Sequence, residues 1–365
     1  MRYVDEFRDA ARLRAAVDAL RRITTRPWTV MEICGGQTHA IARWSLESRL
    51  PPGLTLVHGP GCPVCVTPVE VIEHARRLAI DEGVILCTFG DMMRVPGRHG
   101  DLLAARAEGA DVRVVVSPLD AVALAARRPD RPVVFFGVGF ETTAPTVAMA
   151  IEAAARLGLP DFSVLAAHVR VPPAMAMLLE APDNEVQAFL AAGHVCTVEG
   201  TDAYPALVQR YGVPVVVTGF EPLDILEGLR RAVVQLEAGR AELEIQYDRA
   251  VRPEGNPLAR AAVERVLEVV DRRWRGLGLV AGGGLRIREA FARYDAERRF
   301  GAVPERDEAP GRCRAAEVLR GRLRPMECPE LGRGCTPEHP LGAPMVSSEG
   351  ACAAYYRYRR LEETA

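Results

Sequence analysis

The chain has 365 residues, 48% of them hydrophobic and 26% charged, and a formal net charge of -2 at pH 7. This length suits two or three domains with substantial cores, and the small net charge argues against a broad nucleic-acid-binding surface. All 46 basic residues counted as Lys+Arg are arginines, so there is no lysine for a phosphate-binding loop, a pyridoxal Schiff base or a kinase site.

Two further absences bear on location. No apolar run approaches the roughly 20 residues that a membrane-spanning helix needs. The first ten residues, MRYVDEFRDA, lack the basic and apolar regions of a signal peptide. We therefore expect a cytoplasmic protein that binds neither membranes nor nucleic acids.

Short runs rich in Val, Leu and Phe predict strands, and segments with helical periodicity lie between them. In chain order the predicted strands are 28–33, 54–58, 84–89, 112–116, 133–138, 164–167, 213–218 and 276–281, and the clearest helices are 69–79, 146–157 and 223–236. Nearly continuous apolar strands alternating with amphipathic helices are typical of α/β units with mainly parallel sheets. After about Arg249 the pattern changes, and residues 301–344 are rich in Gly, Pro and Arg.

The nine cysteines are unevenly distributed along the chain. In order they are Cys34, Cys62, Cys65, Cys87, Cys196, Cys313, Cys328, Cys335 and Cys352. In a reducing compartment such cysteines are expected to be metal ligands or redox thiols instead of structural disulfides.

Cys34 follows a predicted apolar strand and precedes Gly35 and Gly36, with a helical pattern starting near Thr38. A helix N-terminus favours the thiolate by lowering the pKa of the thiol, and the thiolate is the form that binds soft metals. We therefore expect a reactive, metal-binding Cys34. The alternative is a buried, inert cysteine.

Cys62 and Cys65 form a Cys-Pro-Val-Cys motif directly before a predicted helix start, where Thr67 and Glu70 have the spacing of a capping box. This arrangement suits a reversible dithiol/disulfide pair. Half of a zinc site is the competing interpretation, but no second pair with this short spacing occurs in the chain.

The last four cysteines, Cys313, Cys328, Cys335 and Cys352, lie in or beside the Gly- and Pro-rich segment, which is too poor in apolar residues to fold without further support. Four thiolates match the needs of one 4Fe–4S cluster, and structural zinc normally uses closely paired cysteines. We expect an iron–sulfur cluster here, with zinc as the alternative.

At this point five motifs together resemble the HypD family of NiFe-hydrogenase maturation (expression/formation) proteins. They are the sequences CGGQTH at 34–39, GPGCPVC at 59–65, TFGDMMRVPG at 88–97, GFETTAP at 139–145 and MVSSEGACAAYY at 345–356. The match covers most of the chain, from near Glu32 to Tyr356.

The resemblance implies two Rossmann-like α/β lobes with parallel sheets and a C-terminal iron–sulfur cluster domain. We expect the first lobe, with an N-terminal helix, in residues 1–125, the second in 126–240 and the cluster domain in 241–365. The implied function is a scaffold on which the Fe(CN)2CO unit of the hydrogenase active site is assembled. The implied partners are a small HypC-type chaperone, a HypE-type protein that carries cyanide as a thiocyanate on its C-terminal cysteine, and indirectly the hydrogenase large-subunit precursor.

Carried over residue by residue, the resemblance makes Cys34 the thiol that binds iron in transit and places His39 near it. It makes Cys62 and Cys65 the redox pair and Glu349 a functional carboxylate. The 4Fe–4S ligands are Cys313, Cys328, Cys335 and Cys352.

Two other functions fit the same residues: a cluster-dependent protein disulfide reductase and a simple iron metallochaperone. Whether the chain is an enzyme in its own right stays open, as do the source of CO, the electron donor, the hydrogenase served and the oligomeric state. Cys87 is expected to be a small core residue, and the roles of Cys196, His168 and His194 are left undecided. Asp91, Arg94, Glu141, Thr142 and Thr143 are expected to shape the cleft between the lobes.

Overall fold

The computed structural model describes residues 4–304 and 311–363, and side chains up to residue 358. The strands are β1 (Trp28–Glu32), β2 (Leu54–His58), β3 (Ile85–Thr88), β4 (Val112–Val114), β5 (Val133–Gly139), β6 (Phe162–His168), β7 (Ala188–Ala192), β8 (Val215–Thr218), β9 (Leu243–Ile245), β10 (Leu267–Trp274) and β11 (Gly278–Ile287).

The α-helices alternate with these strands over most of the chain. They are α1 (Ala10–Ile23), α2 (Gly35–Arg43), α3 (Pro63–Val66), α4 (Val69–Ile80), α5 (Leu102–Ala107), α6 (Pro118–Arg127), α7 (Ala144–Arg156), α8 (Val171–Glu180), α9 (Gly193–Glu199), α10 (Tyr204–Tyr211), α11 (Pro222–Glu237), α12 (Pro257–Val266), α13 (Ala296–Phe300), α14 (Ala315–Leu319) and α15 (Ala351–Glu363). Short 3-10 helices lie at Asp5–Phe7, Glu47–Arg49, Gly90–Arg94, Glu289–Tyr294, Pro325–Glu327 and Ala343–Met345.

Two parallel sheets form the centre of the molecule. Sheet A has the strand order β2-β1-β7-β8-β9, and sheet B has the order β4-β3-β5-β6. Every residue of β5 and β6 is buried, as expected for strands of a parallel sheet covered on both faces. The predicted α/β class with parallel sheets is therefore confirmed.

The sheets do not follow the predicted segments of the chain. Sheet A combines strands from residues 28–58 with strands from residues 188–245, whereas sheet B is built from residues 85–168 between them. The expected boundary between residues 125 and 126 therefore falls inside sheet B, between β4 and β5. Parallel strands need crossover connections, and here the connection from β2 to β7 contains the whole of sheet B.

Three strands were not predicted, and one predicted strand has a different pairing from the one expected. The Ala-rich β7 and the short β9 gave only weak strand signals, and β10 is too rich in charged residues to read as buried. The segment 276–281 was predicted as one of the parallel strands, but it lies in an antiparallel hairpin of β10 and β11. Both strands of this hairpin have exposed residues among buried ones, unlike the fully buried β5 and β6.

The two sheets share a hydrophobic core. One cluster of buried side chains contains Ile33 and Val57 from the sheet A side together with Leu86 and Val134 from sheet B. The C-terminal helix α15 packs on α2, with Tyr355 buried against Ala42. This packing brings the C-terminal segment to the region of Cys34. Among the described residues, no helix combines the length and apolar character needed to cross a membrane.

Candidate functional site

The candidate site lies at the carboxyl edge of sheet A. Cys34 follows β1, Cys62 follows β2, His194 follows β7 and Phe220 follows β8. The chain leaves β1 towards β2 on one side, while β7, β8 and β9 extend on the other side, so the strand order reverses between β1 and β7. In open α/β sheets, ligands bind outside the carboxyl ends of the strands at such a reversal. Cys34 and His194 lie on the two sides of it.

Cys34 is the N-cap residue of α2, and only 2% of its surface is exposed. Its Sγ lies 3.5 Å from Nδ1 of His194. Its main-chain N–H donates to Oε2 of Glu32 at 2.8 Å. The thiol thus has a fixed position between a helix start and a histidine from the other half of the sheet.

Glycines allow the surrounding chain to approach Cys34. The N–H of Gly35 donates to the carbonyl of Gly61 at 2.8 Å, which joins the Cys34 loop to the loop of the Cys-Pro-Val-Cys motif. A Cβ at Gly61 would overlap the main chain of Ile33 and Cys34, and one at Gly35 would overlap Glu349. The close packing of these loops therefore depends on residues without side chains.

The expected low pKa of Cys34 is wrong for this structure. Burial raises the pKa of the Cys34 thiol, and the negative charges of Glu349 and Glu32 raise it further. The N–H groups of Gly36 and Gln37 at the start of α2 lower this pKa, as a helix N-terminus does, but their effect is the smaller one. The protein alone therefore holds Cys34 as a thiol.

His194 is a residue whose role the sequence left undecided. Burial lowers the pKa of the His194 imidazole to about 4, so the ring is neutral at physiological pH. The ring packs against Phe220, with 5.3 Å between the ring centres, and Phe220 in turn covers Gly36. A neutral Nδ1 beside Sγ can accept the thiol hydrogen of Cys34. The sequence did not indicate a role for His194 because β7 was not predicted. A strand that ends at Ala192 places His194 at the carboxyl edge of the sheet.

Cys62 and Cys65 are joined by a disulfide bond. Both are buried, and Sγ of Cys62 accepts a hydrogen bond from the Cys65 N–H at 3.1 Å. The expected capping box is absent: the motif forms the separate short helix α3, α4 begins at Val69, and Thr67 Oγ1 donates to the Pro63 carbonyl instead. The pairing is thus present in the structure, while its reversibility stays a prediction.

A chain of buried polar groups adjoins Cys34. The Glu32 carboxylate is fully buried and accepts from the Cys34 N–H, from the Thr38 hydroxyl and from Nδ1 of His58 at 2.6 Å. Nε2 of His58 lies 2.8 Å from the hydroxyl of Tyr355 in α15. Glu32 and His58 are register partners at the ends of β1 and β2. The sequence did not single out these residues, although an acidic residue ending an apolar strand was a usable signal.

The four C-terminal cysteines influence one another electrostatically. Burial raises the pKa of Cys352, and the charges of Cys313, Cys335 and Cys328 raise it further. The N–H of Leu341 donates to Sγ of Cys335 at 3.4 Å, and a Cβ at Gly342 would overlap Sγ of Cys313. The thiols therefore share one region, lined by main-chain donors and a glycine.

The chemistry of these four thiols suits a 4Fe–4S cluster. A cluster binds each thiolate through a different iron, so the four sulfurs surround a volume and need not meet at a point. The donor set, the N–H groups aimed at sulfur and the close approach at Gly342 all suit such a group.

The disulfide adjoins the region of the C-terminal cysteines. The Arg275 N–H donates to the carbonyl of Val66, the last residue of α3, at 2.6 Å. The Arg275 side chain is near enough to Cys313 for its charge to lower the pKa of that thiol, against the larger effect of burial. In addition, α3 packs against the 3-10 helix Ala343–Met345, which follows Gly342. The Cys62–Cys65 loop thus touches both the Cys34 loop and the C-terminal segment.

Glu349 lies between these regions. Its N–H donates to Oγ of Ser347 at 3.2 Å, and Oγ of Ser347 donates to Oδ2 of Asp91 at 3.0 Å. The Glu349 side chain reaches solvent, but desolvation by the surrounding protein, and then the charge of Asp91, raises its pKa. Arg94 donates to the carbonyl of Pro337. The segment after β3 thus holds the C-terminal segment, and the expected role of Asp91 and Arg94 in the cleft between the lobes stays a prediction.

His39 lies on α2, but its hydrogen bonds are to the C-terminal segment. Its Nε2 lies 2.9 Å from the hydroxyl of Tyr358, and its Nδ1 lies 3.4 Å from the carbonyl of Ser348. Burial lowers its pKa. These contacts support a role in holding the loop of Glu349 against α2, and a direct role near iron stays a prediction.

Sheet B contributes buried groups at its own carboxyl edge. Glu141 follows β5 and accepts from the Val171 N–H at 2.8 Å, and burial raises its pKa to about 7. His168 ends β6, and burial lowers its pKa to about 3. Cys87 in β3 is fully buried, which confirms its expected core position. Cys196, on α9 after the sheet A strand β7, is fully buried as well.

Comparison with known proteins places this arrangement in a family. The HypD family model, described as the hydrogenase formation hypA family, matches residues 10–359. The chain is 49% identical to hydrogenase maturation factor HypD of Azotobacter vinelandii, with 99% of this chain and 97% of the relative covered. It is 49% identical to the hydrogenase expression/formation protein HupD of Azotobacter chroococcum, with 100% and 99% covered. It is 45% identical to hydrogenase maturation factor HypD of Escherichia coli, with 100% of both chains covered.

Proposed function

Because the chain belongs to the HypD family of hydrogenase maturation factors, we propose that it is the scaffold on which the Fe(CN)2CO unit of the NiFe-hydrogenase active site is assembled. The observation that carries the proposal is the position of Cys34. Its thiol lies at the reversal point of sheet A beside His194, and its loop is hydrogen-bonded to the loop of the Cys62–Cys65 disulfide. We place the protein in the cytoplasm, where reducing conditions keep such thiols available.

Iron is the cargo in this proposal, and Cys34 is its ligand on the scaffold. A thiolate is a soft donor that suits iron carrying cyanide and CO. Since burial and the nearby carboxylates hold Cys34 as a thiol, binding of iron must displace the thiol hydrogen, and the neutral His194 is placed to accept it. A cysteine of the HypC-type chaperone supplies a second thiolate, and the loaded iron then passes to the hydrogenase large-subunit precursor.

Cyanide comes from the thiocyanate that the HypE-type partner carries. Release of cyanide from a thiocyanate needs two electrons. A dithiol supplies them: one thiocyanate and two thiols give one thiol, one hydrogen cyanide and one disulfide, with both thiol hydrogens accounted for. Cys62 and Cys65 can form such a dithiol, because their disulfide in this structure is the oxidised partner of the couple.

The C-terminal thiols Cys313, Cys328, Cys335 and Cys352 would hold a 4Fe–4S cluster. When bound, this cluster supplies single electrons. This chain's own residues join that region to the disulfide: Arg275 contacts Val66 through its main chain and influences Cys313 through its charge.

The test is infrared spectroscopy of the protein purified anaerobically with its HypC-type partner. We expect cyanide and carbonyl bands on bound iron, and we expect Cys34→Ser to abolish them without unfolding the protein. Serine is nearly isosteric but a harder and less acidic donor. Cys87→Ser, in the core of sheet B, is the matched control and should keep the bands.

The spectrum also separates the proposal from its rivals. Bound iron without cyanide or carbonyl bands would indicate a simple iron carrier. A disulfide that turns over with a protein substrate, in a chain that never binds iron outside the C-terminal site, would indicate a disulfide reductase. Full-intensity bands in Cys34→Ser would move the iron ligand to another residue.

A further inference from the structure

One hydrogen-bonded path joins the C-terminal helix to the main chain of Cys34. It begins at Tyr355, three residues after Cys352 in α15, and passes through His58 to Glu32, which accepts the Cys34 N–H. The path crosses from α15 to β2 and β1, and its three side chains are each 2% exposed or less. Nothing in the proposed chemistry uses these three residues.

We propose that Tyr355 is a positioning residue for Cys34 that acts through His58 and Glu32. The inference deepens the proposed function, on which the role of Cys34 rests. Through this path the docking of the C-terminal segment fixes the Cys34 loop, so the two ends of the chain form the thiol site together.

The Glu32 carboxylate makes the path cooperative. It accepts from three donors in a fully buried place, and each donor left without an acceptor there carries a desolvation cost. His58 must therefore keep its Nδ1–H on Glu32, which leaves Nε2 for the Tyr355 hydroxyl. A carboxylate oxygen of Glu47 lies 3.9 Å from the same Nε2. Without the Tyr355 hydroxyl Nε2 loses the donor that fixes the imidazole ring, and the hold of Glu32 on the Cys34 N–H weakens.

The experiment is the alkylation rate of Cys34 by iodoacetamide, followed by mass spectrometry of the full-length chain. It needs no iron and no partner. Tyr355→Phe removes only the hydroxyl, and we expect it to raise the Cys34 rate about fivefold, the factor that corresponds to one net hydrogen bond. The buried Cys196 is the internal reference, because general loosening of the fold would raise both rates together.

Tyr358→Phe is the matched control. Tyr358 lies on the same helix and packs on the same cluster of side chains, but its hydroxyl contacts His39 on α2 and is not a member of the hydrogen-bonded path. We expect its Cys34 rate to stay within about twofold of the wild type. An equal increase in Tyr358→Phe would mean that any loosening of α15 exposes Cys34, and it would overturn the role of Tyr355.

A second variant tests the path itself. His58→Gln keeps an amide that can donate to Glu32 but does not extend to Tyr355. If the path acts as a unit, the double variant Tyr355→Phe/His58→Gln reacts no faster than the faster single variant. Multiplying effects, or a wild-type rate in folded Tyr355→Phe, would reject the inference. Failure of the proposed function would instead appear as missing infrared bands with these rates unchanged.

Discussion

Sγ of Cys34 and Nδ1 of His194 lie 3.5 Å apart although 160 positions separate them in the chain. The pair lies beyond the carboxyl ends of the neighbouring strands β1 and β7, where the order of sheet A reverses. One residue brings the thiol and the other brings a neutral acceptor for its hydrogen. The chemistry proposed for Cys34 depends on this pairing.

His194→Gln should therefore weaken iron loading. We expect the cyanide and carbonyl bands to fall roughly tenfold, the usual effect of losing the partner of a metal ligand, while iron at the C-terminal site is unchanged. His74→Gln, at another buried histidine on α4, is the control and should keep full bands. Full bands in His194→Gln would show that Cys34 needs no acceptor.

The Cys62–Cys65 disulfide should be reversible under mild conditions. Alkylation followed by mass analysis should show two additional labelled thiols after treatment with a reductant, both in the peptide of Cys62 and Cys65, while Cys87 and Cys196 stay protected in the folded core. A pair that stays unlabelled in the folded protein across the cellular range of thiol potentials would be structural, and the redox role would be lost.

The C-terminal cysteines should bind iron and sulfide in the anaerobically purified protein. We expect Cys328→Ala to lose most of the iron, sulfide and cluster absorbance, because each of the four thiolates holds one corner of a 4Fe–4S cluster. Cys87→Ala, in the buried core strand β3, should keep them. A protein that contains zinc alone, or an intact cluster in Cys328→Ala, would contradict the assignment.

Glu141 should make stability depend on pH. A glutamate ordinarily has a pKa of 4.5, and burial raises that of Glu141 to about 7. Between these values the folded state binds more protons than the unfolded one, so this contribution to the free energy of unfolding is complete below about pH 4.5 and is lost as the pH rises through about 7.

Glu141→Gln removes this titration and keeps the acceptor for the Val171 N–H. As the pH rises from 5 to 8, we expect the free energy of unfolding of the variant to increase by about 1–3 kcal/mol relative to that of the wild type. Urea unfolding at each pH measures this difference. Other groups, such as His168, titrate in both proteins and cancel in the difference. Parallel stability curves would show that Glu141 is not protonated in the folded state.

Gly61→Ala should disrupt the site through packing. The new Cβ would overlap the main chain of Ile33 and Cys34, and backbone cannot move aside as the end of a side chain can. We expect a loss of about 3 kcal/mol of unfolding free energy and a changed Cys34 alkylation rate. Gly90→Ala is the comparison, because its Cβ meets only a Val114 methyl group at an ordinary distance. Equal stability of the two variants would contradict the close approach of the loops.

The α/β class and the cysteine motifs were readable from the sequence because each depends on local signals. Buried parallel strands are continuous apolar runs, and β5, with the sequence VVFFGVG, was predicted almost to its ends. Cys34 and the Cys62–Cys65 motif were found because glycines and a helix start adjoin them. The structure joins Cys62 to Cys65 as the spacing indicated.

The long-range relationships were not readable. β7 consists of Ala-Phe-Leu-Ala-Ala, which has no β-branched residue and one aromatic residue, and so only a weak strand signal. Without β7, neither the strand order of sheet A nor the contact between Cys34 and His194 could be predicted. The direction of the Cys34 pKa shift was predicted from the helix start alone. In the fold it is decided by burial and by Glu349, which comes from the distant C-terminal segment.

The insertion of sheet B between the strands of sheet A sets the order in which the site can appear during synthesis. β1 and β2, with Cys34 and the Cys-Pro-Val-Cys motif behind them, leave the ribosome first, but β1 gains its other neighbour only when β7 is made. The strands of sheet B are contiguous in the chain, so sheet B can fold before β7 is made. Glu349 and Tyr355 arrive last, so the nascent protein carries reactive thiols with no site around them. Maturation activity therefore requires the finished chain, because Cys34, Cys62 and Cys65 have their complete surroundings only after the C-terminal segment has docked.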